Sequence, residues 1–104
     1  MPNKDMKTLD ALLIALCLDY RRRADAIEKR SADKRTDTEF RYLNFNIFEA
    51  AAEIVGEKYA EEYIKEIGER VGYAKSRVAF SSEAGYKNTK RLIKDNIAKK
   101  LHLI

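Results

Sequence analysis

Apolar residues recur at steps of three and four along most of this chain, and this spacing constrains the fold more than any other feature of the sequence. Such a period places apolar side chains on one face of an α-helix, whereas a strand would require strict alternation, which is absent. Pro2 is the only proline, and all four glycines lie after residue 55. The sequence therefore predicts an all-α fold, with a first helix from about Asp5 to Arg30. Its apolar stripe comprises Leu9, Leu12, Leu13, Leu16, Tyr20, Ala24 and Ile27.

A turn and a capping signal separate the first helix from a second one. Residues 31–36 are polar apart from Ala32, and Thr36 and Glu39 match a capping box, in which a hydroxyl caps the new helix and a glutamate reaches back. The second helix is predicted from about Asp37 to Val55. Residues 1–55 are therefore predicted to form a long helical hairpin, and Gly56 to stop or kink its second helix.

The second half of the chain is predicted to contain shorter helices. Gly72 is the expected left-handed residue at the end of a third helix. A serine, either Ser81 or Ser82, is the expected cap of the last helix. The predicted helices span 57–71, about 75–80, and from that serine cap to Leu101. The whole chain, residues 1–104, is predicted to be a single domain, a small orthogonal bundle of four to five helices.

Composition narrows the class of protein. Charged residues make up 37% of the chain and hydrophobic residues 45%, which is typical of a soluble globular domain. The longest apolar run, Ala11–Leu18, is too short to span a bilayer, so no membrane association is expected. Cys17 has no second cysteine with which to form an internal disulfide, and this favours a cytoplasmic location.

Nothing in the sequence predicts an enzyme or a bound cofactor. His102 is the only histidine, which argues against zinc binding and histidine-based catalysis. No nucleophile–base pair, glycine-rich phosphate loop or metal-ligand cluster can be assembled. A row of carboxylates at four-residue steps is predicted to be a solvated acidic face, or a face that pairs with basic residues elsewhere, rather than a metal site. It comprises Glu49, Glu53, Glu57 and Glu61.

Positive charge gathers in the last third of the chain. Residues 73–104 contain eight lysines and arginines and two acids, a net charge of +6, whereas residues 1–72 carry −2. This asymmetry is expected of a protein that binds the phosphate backbone of nucleic acid, although a solubilising surface would have the same charge. A second basic cluster, Arg21–Arg23, is predicted to form local ion pairs with Asp19 and Asp25, with a phosphate contact as the alternative.

Residues 64–83 combine two glycines with an apolar wedge. Gly68 is small enough for two helix backbones to approach, and Gly72 tolerates the positive φ of a tight turn. The apolar residues Ile67, Val71, Tyr73 and Val78 would close the wedge between the helices. This stretch resembles the twenty-residue helix-turn-helix of phage repressors and Cro-like proteins.

The resemblance implies double-stranded DNA as the partner. It implies a supporting helix over 64–70 and a recognition helix from Lys75 to about Ser82 that enters the major groove. Lys75, Ser76 and Arg77 would then contact base edges or phosphates.

A second arrangement places the last helix in the groove instead. Residues 82–87 and the basic helix that follows resemble the end of sigma-factor-like and phage late-regulator domains. The basic residues on this helix are Lys87, Lys90, Arg91 and Lys94. In the first arrangement these side chains would contact phosphates only. Both arrangements predict DNA contact by the C-terminal third, and they differ in which residues meet bases.

The leading hypothesis is therefore a small cytoplasmic DNA-binding protein that regulates transcription. A homodimer is expected by analogy, because one short recognition helix reads few base pairs and paired half-sites increase specificity. The chain as a whole resembles short helical proteins of prophages and integrative elements of Gram-positive bacteria. The alternative is a helical protein–protein interaction module, an adaptor or an inhibitor of a nucleic-acid-processing complex.

Overall fold

In a computed structural model of the protein, residues 4–79 and 82–104 are described. Within these ranges the chain forms five α-helices, one short 3₁₀ helix and no strand, so the predicted small all-α bundle is confirmed. The α-helices are α1 Lys4–Leu18, α2 Tyr20–Lys29, α3 Lys34–Val55, α4 Glu57–Gly68 and α5 Glu83–Lys100, and the 3₁₀ helix is Tyr73–Lys75.

The central helix is α3, which packs against α2, α4 and α5, while α1 packs against α4. Two adjacent alanines of α3, Ala50 and Ala51, are fully buried and let the neighbouring helices approach closely. Leu12, a member of the predicted apolar stripe, is instead exposed, and so is Ile54 of α3. The largest fully buried side chains are Ile47, Ile64, Tyr86, Ile93 and Ile97.

The first predicted helix is interrupted at Asp19, which separates α1 from α2. The buried Arg23 guanidinium donates to the Leu16 carbonyl oxygen near the end of α1. The Asn44 amide of α3 donates to the Tyr20 carbonyl oxygen at 3.1 Å. Side chains that bind carbonyl oxygens within a helix are a common cause of kinks. The prediction of one continuous helix is therefore wrong.

The third helix begins at Lys34 rather than at about Asp37. The Asp33 carboxylate accepts a hydrogen bond from the Thr36 backbone N–H at 2.8 Å, so Asp33 is the N-cap and the predicted capping box at Thr36 is wrong. At the other end, Gly56 adopts a φ of +86° and ends α3, as predicted.

The fourth helix ends at Gly68 and the chain turns at Arg70, which adopts the left-handed conformation with a φ of 55°. The Val71 backbone N–H donates to the Glu66 carbonyl oxygen at 3.0 Å, a bond typical of a Schellman motif. Gly72 has a φ of −82°. The prediction that Gly72 is the left-handed residue is therefore wrong, because the turn occurs two residues earlier.

Gly68 lies where α4 meets the end of α1. A Cβ atom at this position would lie 2.5 Å from Leu18 Cα and 2.8 Å from the Cys17 carbonyl carbon, too close for any side chain. A close helix approach at Gly68 is predicted from its small size, but the backbone that approaches belongs to α1 and not to a recognition helix.

The short helix predicted over 75–80 does not form in the described residues. Tyr73–Lys75 makes a single 3₁₀ turn, and residues 76–79 are not helical. The Ser76 hydroxyl accepts a hydrogen bond from the Val78 N–H at 3.1 Å, so a side chain satisfies a backbone group that a helix would otherwise use. Phe80 and Ser81, at the end of the predicted helix, lie outside the described residues.

The last helix follows its prediction closely. Ser82 caps α5 by accepting a hydrogen bond from the Gly85 N–H at 3.1 Å. Tyr86, Ile93 and Ile97, which recur at helical spacing along one side of α5, are buried. The helix is thus fixed along one side, and its opposite side faces outward.

Candidate nucleic-acid interface

A buried carboxylate on α4 organises the region predicted to contact DNA. Glu66 is only 3% exposed. Its Oε1 accepts hydrogen bonds from the Ser76 hydroxyl at 2.6 Å and the Tyr86 hydroxyl at 2.7 Å, and its Oε2 accepts one from the Arg77 backbone N–H at 2.9 Å. Glu66 thus holds residues 71–79, hereafter the anchored loop, against the first turn of α5.

The charge of this carboxylate is stabilised where it lies. Burial alone would raise the pKa of Glu66, but the hydrogen bonds from Ser76, Arg77 and Tyr86, with the positive charge of Lys90, lower it below its ordinary value. Burial and the hydrogen bond to Glu66 raise the pKa of Tyr86 to about 12. The carboxylate is therefore ionised at neutral pH, and the tyrosine keeps the proton that it donates.

A second contact fixes the end of the anchored loop. The Tyr63 hydroxyl of α4 donates to the Val78 carbonyl oxygen at 3.1 Å, and the Val78 side chain is buried. The loop is therefore attached to α4 at Ser76, Arg77 and Val78, and its earlier residues lie at the surface.

Four of the predicted DNA-binding side chains are exposed at this end of the molecule. Lys75 and Arg77 lie on the anchored loop, and Lys87 and Arg91 lie one turn apart on α5. Arg77 is bound to Glu66 through its backbone N–H, so the guanidinium group stays at the surface. Lys87 lies 3.1 Å from Glu83 in an exposed ion pair, which solvent screens.

The other three predicted side chains are engaged within the protein. The Ser76 hydroxyl is bound to Glu66. Lys90 Nζ donates to the Val71 carbonyl oxygen at 2.8 Å and lies 4.5 Å from the centre of the Tyr86 ring. Burial, and then the positive charge of Lys94, lowers the pKa of Lys90. Lys94 Nζ itself lies 2.7 Å from Asp10 Oδ1 of α1.

Three residues of this region make contacts that the sequence does not predict: Glu66, Tyr86 and Asn88. Glu66 follows Tyr63 by three residues and precedes buried Ile67, so a charged residue stands on the apolar face of α4. A charged residue on the apolar face of a helix is unusual, and this could have identified Glu66 from the sequence. Asn88 is exposed on α5 and accepts a hydrogen bond from Arg91 Nη2 at 2.6 Å. Helical spacing allows this hydrogen bond but does not require it, so the sequence alone does not predict it.

Members of the acidic row and of the arginine cluster form contacts within the protein. Glu53 binds Lys100 Nζ at 2.6 Å and the Asn96 amide at 3.0 Å. Arg21 pairs with Asp25 as predicted, at 3.4 Å. The partner of Asp19 is Arg22, at 2.6 Å, and not the predicted Arg23, whose guanidinium donates to the side-chain oxygen Oδ1 of Asn44 at 2.7 Å.

Cys17 lies in the core, where burial raises its pKa to about 12 and keeps the thiol neutral. Among the described residues, no group of three or more His, Cys, Asp and Glu side chains is arranged to hold a metal ion.

No protein-family model, curated protein or solved structure matches this chain. Across the part of the chain that the structure describes, no helix combines the length and the apolar character needed to cross a membrane.

Proposed function

We propose that this protein is a cytoplasmic DNA-binding regulator that contacts duplex DNA with the N-terminal half of α5 and the anchored loop. The observation that carries this proposal is the Glu66 network, which holds the loop against the first turn of α5. Lys75 and Arg77 are exposed on this loop, and Lys87 and Arg91 are exposed on the helix against which the loop is held. Exposed cations on two elements that are fixed to each other suit the phosphate backbone of DNA.

The geometry favours α5 as the element that reads bases. Residues 76–79 are not helical, whereas α5 is a regular helix with an exposed basic side. Arg91 and Asn88 are exposed on that side, and these side chain types form paired hydrogen bonds with guanine and adenine edges. In this arrangement Lys75 and Arg77 contact phosphates and fix the orientation of the helix.

A homodimer is part of the proposal. On α3, Tyr42 is 50% exposed and Phe45 is 65% exposed, and their spacing places them on neighbouring positions of the same helix face. Aromatic side chains are enriched in protein interfaces. Two copies joined there would present two α5 helices, and paired half-sites would supply the specificity that one helix lacks.

Fluorescence anisotropy with a mixed-sequence duplex across a salt series tests the proposal. The logarithm of affinity should fall with the logarithm of salt by about 0.9 for each phosphate contacted. Lys87→Gln should weaken binding and reduce that slope. Lys29→Gln, which removes the same charge from an exposed position on α2, should do neither. Absence of binding at low salt, or equal losses in the two variants, would refute DNA binding by α5.

One observation favours the interaction module as a second candidate. A cleft of 640 Å³ lies between the α1–α2 junction and α4, lined by Leu18, Tyr20 and charged side chains of both signs. Its charged lining residues are three cations and three carboxylates, so it offers no excess positive charge to a phosphate backbone, and such a cleft suits a peptide or a helix of a partner protein better than DNA. The two candidates are distinguished by DNA binding: the regulator binds duplex DNA without another protein, whereas the module requires its protein partner.

A further inference from the structure

Beside the anchored loop, a notch of 210 Å³ opens between α1, the turn that follows α4, and α5. Three positively charged side chains contribute to its lining: Arg70, Lys90 and Lys94. Ile14 and Ile67 provide apolar walls, and the remaining lining residues are Val71 and Gly72. It is hereafter the cationic notch.

The three cations of the notch are held differently. Lys90 is fixed by its hydrogen bond to the Val71 carbonyl oxygen. Arg70 is exposed and lies at the left-handed turn after α4, and no carboxylate among the described residues pairs with it. Lys94 pairs with Asp10, whose carboxylate is half exposed.

The notch therefore contains more positive than negative charge. Among the described residues, Asp10 is the carboxylate that forms an ion pair with a cation of the notch, Lys94. The charge of Glu66 also acts on Lys90, but both Glu66 oxygens already receive hydrogen bonds from Ser76, Arg77 and Tyr86. The positive charge of Lys94 acts against that of Lys90, and an anion placed between them would relieve this repulsion.

We propose that the cationic notch binds a phosphate group, with Arg70 and Lys94 as direct contacts and Lys90 as a fixed positive charge beside them. Arginine presents a planar fork of donors that matches two phosphate oxygens, and lysine supplies a point charge. A DNA backbone phosphodiester and a free phosphate monoester share this chemistry. The first source rests on the proposed function, whereas the notch itself does not.

Asp10 competes with the phosphate for Lys94, so removing the Asp10 charge should increase phosphate affinity. Asp10→Asn should strengthen phosphate binding, because Lys94 is then free to turn to the ligand. Asp25→Asn serves as the control, since it also removes one negative charge but from an ion pair with Arg21 on α2. If both variants strengthen binding equally, net charge is responsible and the notch is not the site.

Titration of the ¹⁵N-labelled protein with inorganic phosphate, at constant ionic strength set by chloride, measures the binding. The Val71 and Gly72 amide resonances should shift and saturate. Arg70→Gln and Lys94→Gln should each weaken the apparent affinity about tenfold. Lys99→Gln, an exposed site on α5 outside the notch, should leave it unchanged. Shifts that do not saturate, or that persist in Arg70→Gln with unaltered affinity, would overturn the proposal, and far-UV circular dichroism verifies that each variant is folded.

Two competitors then distinguish the sources of the phosphate. Displacement of inorganic phosphate by a mixed-sequence duplex supports a backbone phosphodiester in the notch. Displacement by a nucleoside 5′-monophosphate but not by the duplex supports a free monoester and contradicts the backbone source. If anisotropy shows DNA binding while the notch resonances stay unmoved by duplex and by phosphate, the notch proposal fails and the proposed function stands. If phosphate binds in the notch but the protein does not bind duplex DNA, the notch proposal stands and the proposed function fails.

Discussion

Replacing Glu66 with glutamine tests whether its carboxylate anchors the loop. The ionised side chain is an acceptor at both oxygens, and it receives hydrogen bonds from Ser76, Arg77 and Tyr86. Glutamine has nearly the same shape, but one of its two terminal groups is a donor. At least one of the three donors must then face an NH₂ group.

The expected loss follows from the orientation that keeps most of these bonds. With the amide oxygen at the Oε1 position, Ser76 and Tyr86 keep an acceptor, and the NH₂ group faces the Arg77 N–H. One hydrogen bond to a charged acceptor is lost, at about 1.5–3 kcal/mol. The other two weaken because their acceptor is neutral. Part of this loss is offset because no charge is buried. We expect the free energy of unfolding to fall by about 2–4 kcal/mol.

Urea unfolding followed by far-UV circular dichroism at neutral pH measures this change. The midpoint should fall while the slope with denaturant stays constant, since the same surface is exposed on unfolding. Glu61→Gln, at an exposed position of the same helix, is the matched control and should change stability by less than about 0.5 kcal/mol. An equally small change in Glu66→Gln would refute the role assigned to this carboxylate.

The pH dependence of the same pair of proteins gives an independent check. The pKa of Glu66 in the folded protein lies below its ordinary value of 4.5. Its contribution is therefore fully present above pH 4.5 and is lost as pH falls through the lower folded pKa. The stability gap between wild type and Glu66→Gln should shrink below pH 4.5. A gap that is constant across this range would contradict the linkage.

Three further substitutions should change the same unfolding free energy in stated directions. Gly68→Ala should lower it by about 1–3 kcal/mol or more, because the added Cβ meets backbone atoms of Leu18 that cannot move aside. Arg70→Gly should raise it by about 0.5–1 kcal/mol, because glycine adopts the left-handed conformation without strain. The larger chain entropy that glycine loses on folding offsets part of this gain. Tyr86→Phe should lower it by about 1.5–3 kcal/mol through loss of the hydrogen bond to the charged Glu66 carboxylate. A change of opposite sign in any of the three would contradict its explanation.

Features that depend on neighbours in sequence were predictable. The end of α3 at Gly56 and the start of α5 at Ser82 follow from local backbone chemistry, and both predictions are confirmed. The buried stripe of α5 follows from helical periodicity alone. These features needed no knowledge of which helices pack together.

Features that depend on distant residues were not predictable. The break at Asp19 involves Asn44 of α3, and the non-helical course of the anchored loop involves Glu66 of α4. Competition between such distant contacts and helix formation cannot be detected from a short stretch of sequence. Ser76 and Arg77 are compatible with a helix until a buried carboxylate binds them. The same limit applies to the candidate site, since sequence spacing alone cannot separate Lys90, which is engaged, from Lys87, which faces outward.

The manner in which the loop is anchored bears on what the loop can do. Its attachment uses a serine hydroxyl, a backbone N–H of Arg77 and a backbone carbonyl of Val78, and none of these belongs to a cationic side chain. An apolar anchor would have required large side chains at several of these positions, leaving fewer for charge. Here Lys75 and Arg77 stay exposed on a backbone that is already fixed. Charges on a fixed backbone lose less entropy on meeting a phosphate than charges on a mobile one, which would favour the proposed contact with DNA.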